Sequence, residues 1–235
     1  GIYSIFLFLY LIKKFVLSQT FSIFATAKIT IYIDKQTFHT LKNNNIMAKV
    51  YQFIANGSEE IESLTTIDVL RRAGIETVTV SITGNEFAEL SHGVTIKCDT
   101  TIEAADLSDA DMLLLPGGLP GADYLLHHEG VRKALLAQNA AGKKIGAICA
   151  APQVLGDLGL LQGKRATCYP GFEMKLDGAD YTADLFTIDG NIITGKGPAA
   201  TLPYSYAILE MLGAKDAAEA LREGMVYNYL METKG

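Results

Sequence analysis

Apolar and polar positions alternate along most of this chain in blocks that are either strand-length or helix-length. Lys49–Ile54 is a short β-rich run that ends in the turn signal Asn56-Gly57. Ser58 stands where an N-cap is expected, and Glu59, Glu60 and Glu62 put negative charge into the first turn of a helix. That helix is predicted through Leu64, Ile67, Val69 and Leu70 to Ala73, with Gly74 as its stop. Thr77–Ser81 reads as a second strand, and Phe87–Leu90 with Val94–Cys98 as a hairpin around Ser91-His92-Gly93. Asp111–Leu115 is a purely apolar strand running into Pro116-Gly117-Gly118. A helix is expected over Val131–Ala141, and Lys144–Ile148 is the next apolar strand, ending at Cys149. Beyond it the pattern predicts a short helix, a β segment near Arg165–Cys168, a hairpin-like pair around Leu185–Ile188 and Ile192–Thr194, and two closing helices.

Strands alternate with helices, and the central strands are apolar throughout. This is the pattern of an α/β fold whose mostly parallel sheet is covered by helices on both faces, a three-layer sandwich. Functional groups in such sheets gather in the crevice beyond the strand C-terminal ends. Two of those ends carry unusual residues, Pro116-Gly117-Gly118 and Ile148-Cys149-Ala150.

Residues 1–46 break the pattern. They are rich in Ile, Phe, Leu, Lys, Asn and Tyr, contain no proline, and have Asp34 as their sole acid. The apolar run Ile2–Ile12 falls short of the roughly 20 residues a spanning helix needs. Lys13 and Lys14 follow that run, whereas a secretion signal places its positive charge ahead; an Ala-x-Ala sequence at Ala25–Ala27 is the one feature favouring export. The expectation is that Met47 begins the folded chain, as one domain over 47–235, and that 1–46 is a non-native or disordered upstream extension. A cytoplasmic location without a membrane partner follows from the same reading.

Charge and cysteine content narrow the chemistry. The 235 residues carry a formal net charge of −6 and no basic run, which argues against nucleic acid as a partner. Three cysteines without a CxxC pair suit neither a disulfide framework nor a structural zinc site, and fit a reducing compartment. The histidines offer no metal set: His92 is in a hairpin turn, and the adjacent His127 and His128 point different ways on any regular element.

Cys149 lies at a strand-to-helix junction among small residues, Gly146-Ala147-Ile148-Cys149-Ala150-Ala151-Pro152, as a tight nucleophile elbow requires. A following helix N-terminus is expected to lower the thiol pKa. A buried core cysteine is the other fate open to such a residue, although core cysteines usually lie within an element. The glycines of Pro116-Gly117-Gly118 either make a turn or direct backbone N–H groups at an oxyanion, together with the N–H of Ala150. Any of Glu59, Glu60 and Glu62 reads as a first-turn acid. Glu62 differs in sharing a helix face with Ser58 and Thr65 or Thr66. Cys98 and Cys168 read as core or edge thiols in β segments.

The segments Asn56-Gly57-Ser58-Glu59-Glu60-Ile61-Glu62, Asp68-Val69-Leu70-Arg71-Arg72-Ala73-Gly74, Leu115-Pro116-Gly117-Gly118, Ala147-Ile148-Cys149-Ala150-Ala151-Pro152 and Gly197-Pro198 resemble, in order and spacing, the ThiJ/PfpI family. The resemblance is to the branch of the Parkinsonism-associated deglycase and bacterial YajL, and it extends from Met47 to the C-terminus. It implies a flavodoxin-like fold, a homodimer and no bound cofactor or metal. It also implies that Cys149 is the nucleophile, Glu62 the protonated acid that hydrogen-bonds it, and Gly118 and Ala150 the oxyanion-binding amides. Gly117, Tyr169 and Pro198 become candidates for the substrate pocket. The implied activities are glyoxalase- or deglycase-like chemistry on small reactive carbonyl compounds or glycated protein, or a chaperone-like, redox-sensing role through the sulfinate of Cys149. Two departures matter. The protease branch has a histidine directly after the cysteine, where this chain has Ala150. Glyoxalase-active members have a histidine before a proline where this chain has Tyr169-Pro170, and a tyrosine hydroxyl is a poor base near neutral pH. Nothing in these residues supports a role in thiazole biosynthesis, the family's old label.

Overall fold

The computed structural model describes residues 48–233, so the expectation for residues 1–46 lies outside the described residues. Seven strands make one sheet: β1 (Lys49–Ile54), β2 (Glu76–Ser81), β5 (Thr100–Thr101), β6 (Met112–Leu115), β7 (Lys144–Ile148), β10 (Phe186–Asp189) and β11 (Ile192–Gly195). Their order is β10-β11-β7-β6-β1-β2-β5. Every neighbouring pair is parallel except β10–β11, the antiparallel hairpin at one edge. The core order β2-β1-β6-β7-β11 is the flavodoxin-like doubly wound arrangement, with its switch point between β1 and β6.

Successive strand residues point to opposite faces, and that alternation builds two cores. On one face Tyr51, Phe53, Leu113 and Ile145 pack with Leu125 of α2 (Gly121–His127), Val131 and Leu135 of α3 (Glu129–Ala140), and Val154 of α4 (Pro152–Asp157). On the other, α1 (Glu60–Arg72) packs beside α5 (Thr201–Met211), with α6 (Lys215–Gly224) and α7 (Tyr227–Glu232) beyond. Two small sheets flank the main one: the hairpin β3 (Phe87–Glu89) with β4 (Thr95–Lys97), and the parallel pair β8 (Arg165–Ala166) with β9 (Asp180–Tyr181).

The strands follow the apolar pattern closely; the helices correct it in three places. The residue that caps α1 is Glu59, whose side chain accepts from the Glu62 N–H at 2.7 Å. Ser58 is buried and turns back to accept from the Ala55 N–H at 3.1 Å, so its hydroxyl is spent on the turn. The single helix expected over Val131–Ala141 is preceded by a second, α2, divided from α3 at His128, whose ring accepts from the Val131 N–H. Three helices close the chain instead of two, because the C-terminal turn at Val226 re-enters a helix at Tyr227. Cys98 and Cys168 lie just past the ends of β4 and β8, both buried.

Candidate active site

Three strand ends converge at the switch point. The loop after β1 leads into α1 and Glu62, the loop after β6 carries Gly117 and Gly118, and β7 ends at Cys149. Cys149 has φ 65°, a left-handed conformation that side-chain-bearing residues rarely adopt and that costs about 1–3 kcal/mol. The elbow is held by the Cys149 N–H donating to Gly195 at 2.9 Å and the Tyr169 N–H donating to the Cys149 carbonyl at 2.8 Å. The backbone N–H groups of Gly118 and Ala150 lie near enough to the sulfur to favour its thiolate.

Glu62 is 1 % exposed. Its Oε2 accepts from the Gly117 N–H at 2.8 Å. The carboxyl also interacts with the Cys149 side chain, closely enough to couple the two titrations, yet Oε1 forms no well-aligned hydrogen bond. Gly117 is the hinge of this geometry, since a Cβ built on it would stand 2.6 Å from the Cys149 Cβ and 2.7 Å from Glu62 Oε2. Gly118 adopts φ 85°, and a Cβ there would meet the Glu59 nitrogen and Gly57 oxygen, each at 2.5 Å. Glycine is required at both positions for the strand end to approach α1.

Burial pushes the Glu62 carboxyl up to about 7, opposed by the neighbouring Cys149 side chain and the Gly117 N–H and reinforced by the charge of Glu59. The sequence-based expectation of a depressed thiol meets opposition. α4 begins only at Pro152 and is six residues long, while burial, and then the negative charge of Glu62, push the Cys149 thiol up. The Gly118 and Ala150 amides pull it down. Two negative charges side by side are disfavoured, so a protonated Glu62 favours the Cys149 thiolate. Burial also raises the other thiols, Cys98 to about 11 and Cys168 to about 12, with the charges of Asp99 and Glu173 adding to it.

Of the expected pocket residues, Tyr169 and Pro198 line one groove of about 230 Å³ with Pro170, Leu185, Gly197 and Ala200. Gly117 is not part of it and sits between Cys149 and Glu62. Tyr169 is 46 % exposed. Sequence reasoning missed the partner of His92. Its N–H and Nδ1 both engage Glu60, the latter at 2.6 Å, tying the β3–β4 hairpin to the start of α1. Glu59, Glu60 and His92 form one cluster with ligand-type atoms within 4.8 Å. His92 Nδ1 is already taken by Glu60, and the helix N-terminus disfavours a cation there.

The model of the DJ-1/PfpI family matches residues 48–211. The chain belongs to the DJ-1/PfpI family. It is 34 % identical over 200 residues to DJ-1 homolog B of Arabidopsis thaliana, covering 83 % of this chain and 45 % of the plant protein, so it spans about half that relative's length. It is 31 % identical over 166 residues to the glutathione-independent glyoxalase DJR-1.2 of Caenorhabditis elegans, covering 70 % of this chain and 88 % of that protein. The oxidized DJ-1 of Toxoplasma gondii superposes with a TM-score of 0.73 at 34 % identity, covering 76 % of this chain and 98 % of that one. No helix among the described residues is long and apolar enough to cross a membrane.

Proposed function

We propose that this DJ-1/PfpI-family chain is a cysteine-dependent stress-protection protein that acts on α-oxoaldehydes or their protein adducts, with Cys149 as nucleophile. The observation that carries the reading is the Cys149 elbow, whose sulfur meets a buried carboxyl on one side and two backbone amides on the other. The Cys149 thiolate adds to the aldehyde carbon and the carbonyl π pair moves to oxygen. The Gly118 and Ala150 amides hold the oxyanion, and the Glu62 proton neutralises it as the hemithioacetal. Glu62, now a carboxylate with a pKa near neutrality, takes the proton from the former aldehyde carbon and returns it to the adjacent carbonyl carbon, while the hemithioacetal hydroxyl proton passes to the neighbouring oxygen, leaving a 2-hydroxy thioester. Water then hydrolyses the resulting thioester to a 2-hydroxy acid and the free thiol. The name of the nematode relative supports the substrate class. The exposed tyrosine at 169 offers no second base, so turnover rests on Glu62 alone and is expected to be slow.

A second reading uses the same atoms. The amides at the sulfur and the unpartnered Glu62 Oε1 also suit a sulfinate, formed when the thiolate reduces two equivalents of peroxide to water and acquires two oxygen atoms. The two readings separate on one comparison of the parent with Cys149→Ser. Loss of methylglyoxal consumption supports the enzyme. A parent with no consumption, but with a peroxide-dependent mass gain absent from the variant, supports the sensor. Consumption unchanged in the variant removes Cys149 from the chemistry.

A further inference from the structure

Four buried side-chain atoms lack a hydrogen-bond partner among the described residues: Gln52 Oε1, Glu62 Oε1, Ser63 Oγ and Tyr204 OH. They lie on neighbouring elements. Gln52 of β1 donates through Nε2 to the Ser63 carbonyl at 3.0 Å, and Ser63 follows Glu62 on α1. Tyr204 of α5 approaches the same sheet face from the other side. Its hydroxyl stands 2.6 Å from the point where a Cβ would sit on Gly146, against the Leu114 and Met112 side chains. Leu114 is the register partner of both Gln52 and Gly146, so Gln52 and the Tyr204 hydroxyl occupy the same row of the sheet. Ser205 Oγ donates to Thr66 Oγ1 at 3.1 Å and fixes α5 against α1 one turn beyond Glu62.

An isolated buried polar atom costs about 1–3 kcal/mol, so four in one region would consume much of a domain's stability of about 5–15 kcal/mol. Native interiors satisfy such groups, often through ordered water with two to four polar partners. The chemistry here is complementary: the phenol donates, the Ser63 hydroxyl does either, and the Gln52 and Glu62 oxygens accept. Glycine at 146 leaves room for the phenol, whereas any side chain there would collide with it.

We propose that Tyr204, Ser63 and Gln52 form, with Glu62 Oε1, one water-bridged buried network that positions and tunes the Glu62 proton from behind, opposite Cys149. This rests on the reading of Glu62 as the proton partner of Cys149. The three are positioning residues, since none reaches the sulfur. Two titratable side chains act on Glu62, Cys149 at the elbow and Glu59 on its own helix, and the Glu62 charge in turn reaches Tyr204 of α5. Burial, and then the charge of Glu62, hold the Tyr204 phenol protonated, so it serves as a fixed donor. A donor at the far end stabilises the carboxylate, and its removal raises the Glu62 inflection.

The test is a carboxyl-carbon NMR titration of the full chain labelled at glutamate, with Glu62→Gln identifying the resonance. The parent is expected to titrate near 7. Tyr204→Phe and, independently, Ser63→Ala are expected to raise that inflection by about half a unit or more. A crystal structure of the parent is expected to show water joining these side chains. An unmoved inflection in both variants overturns the proposal, as does a parent inflection in the ordinary carboxylate range near ~4.3. Cys149 alkylation rates measured on the same samples keep the two ideas apart. If Glu62 titrates and shifts as expected but the thiol does not follow it, the cysteine reading falls and the network stands. If the thiol follows Glu62 and neither variant moves it, the network falls alone.

Discussion

A methyl group on Gly117 would press on both the Cys149 Cβ and the Glu62 carboxylate. Gly117→Ala is therefore expected to cost about 1–3 kcal/mol of stability through overpacking and to slow Cys149 alkylation by about tenfold or more. Urea unfolding and iodoacetamide kinetics on the folded variant measure the two effects. Glu62 carries a pH signature of its own. Its folded pKa of about 7 lies above the ordinary carboxylate value, so its contribution is fully present at acidic pH and is lost as pH rises through about 7. Glu62→Gln keeps an acceptor for the Gly117 amide and cannot ionise. The variant is expected to gain on the order of 2 kcal/mol over the parent between pH 5 and pH 8, read as the change in urea midpoint.

At the scale of elements, the link between α1 and the β3–β4 hairpin is a charge pair. The Glu60 hydrogen bond and charge raise the His92 pKa. Burial alone would raise Glu60, but its bonds to His92 outweigh that and lower it. The His92 contribution is complete below about 6.5 and disappears as pH rises through the raised folded value. The Glu60 contribution disappears as pH falls below about 4.3. Hydrogen exchange of the hairpin amides is expected to be slowest between those limits and to accelerate above neutrality. His92→Gln should flatten that profile, and an unchanged profile would discard the pair as a clamp. The strand boundaries were legible because apolar runs between turn signals leave little latitude. Helix ends were less so: the choice of Glu59 over Ser58 as cap depends on a hydroxyl already committed to the Ala55 N–H.

For the whole molecule, Ile61 and Leu64 are exposed on the outer face of the helix that carries Glu62, and Phe87 and Val94 are exposed on the hairpin beside it. These exposed apolar residues make this face the place to test the homodimer that the family resemblance implies. Light scattering is expected to give twice the chain mass for the parent and the single mass for Ile61→Glu. A monomeric parent at micromolar concentration would rule out that homodimer.

By itself, the sequence determined the alternation of apolar strands and helices, the parallel sheet and the residues at its strand ends, because burial periodicity and turn chemistry are local properties. It also singled out Cys149 as a residue at a strained junction. Tertiary structure alone decided that Glu62, 87 positions earlier in the chain, meets Cys149. It decided too that Tyr169 is half-exposed and that the polar side chains of Gln52, Ser63 and Tyr204 are buried. Those relations depend on which strands become neighbours and which side of the sheet each helix covers, and no local pattern encodes either. The direction of the thiol's titration belongs with them: a helix N-terminus was visible in the chain, but the burial and the carboxylate that oppose it exist only in the folded protein.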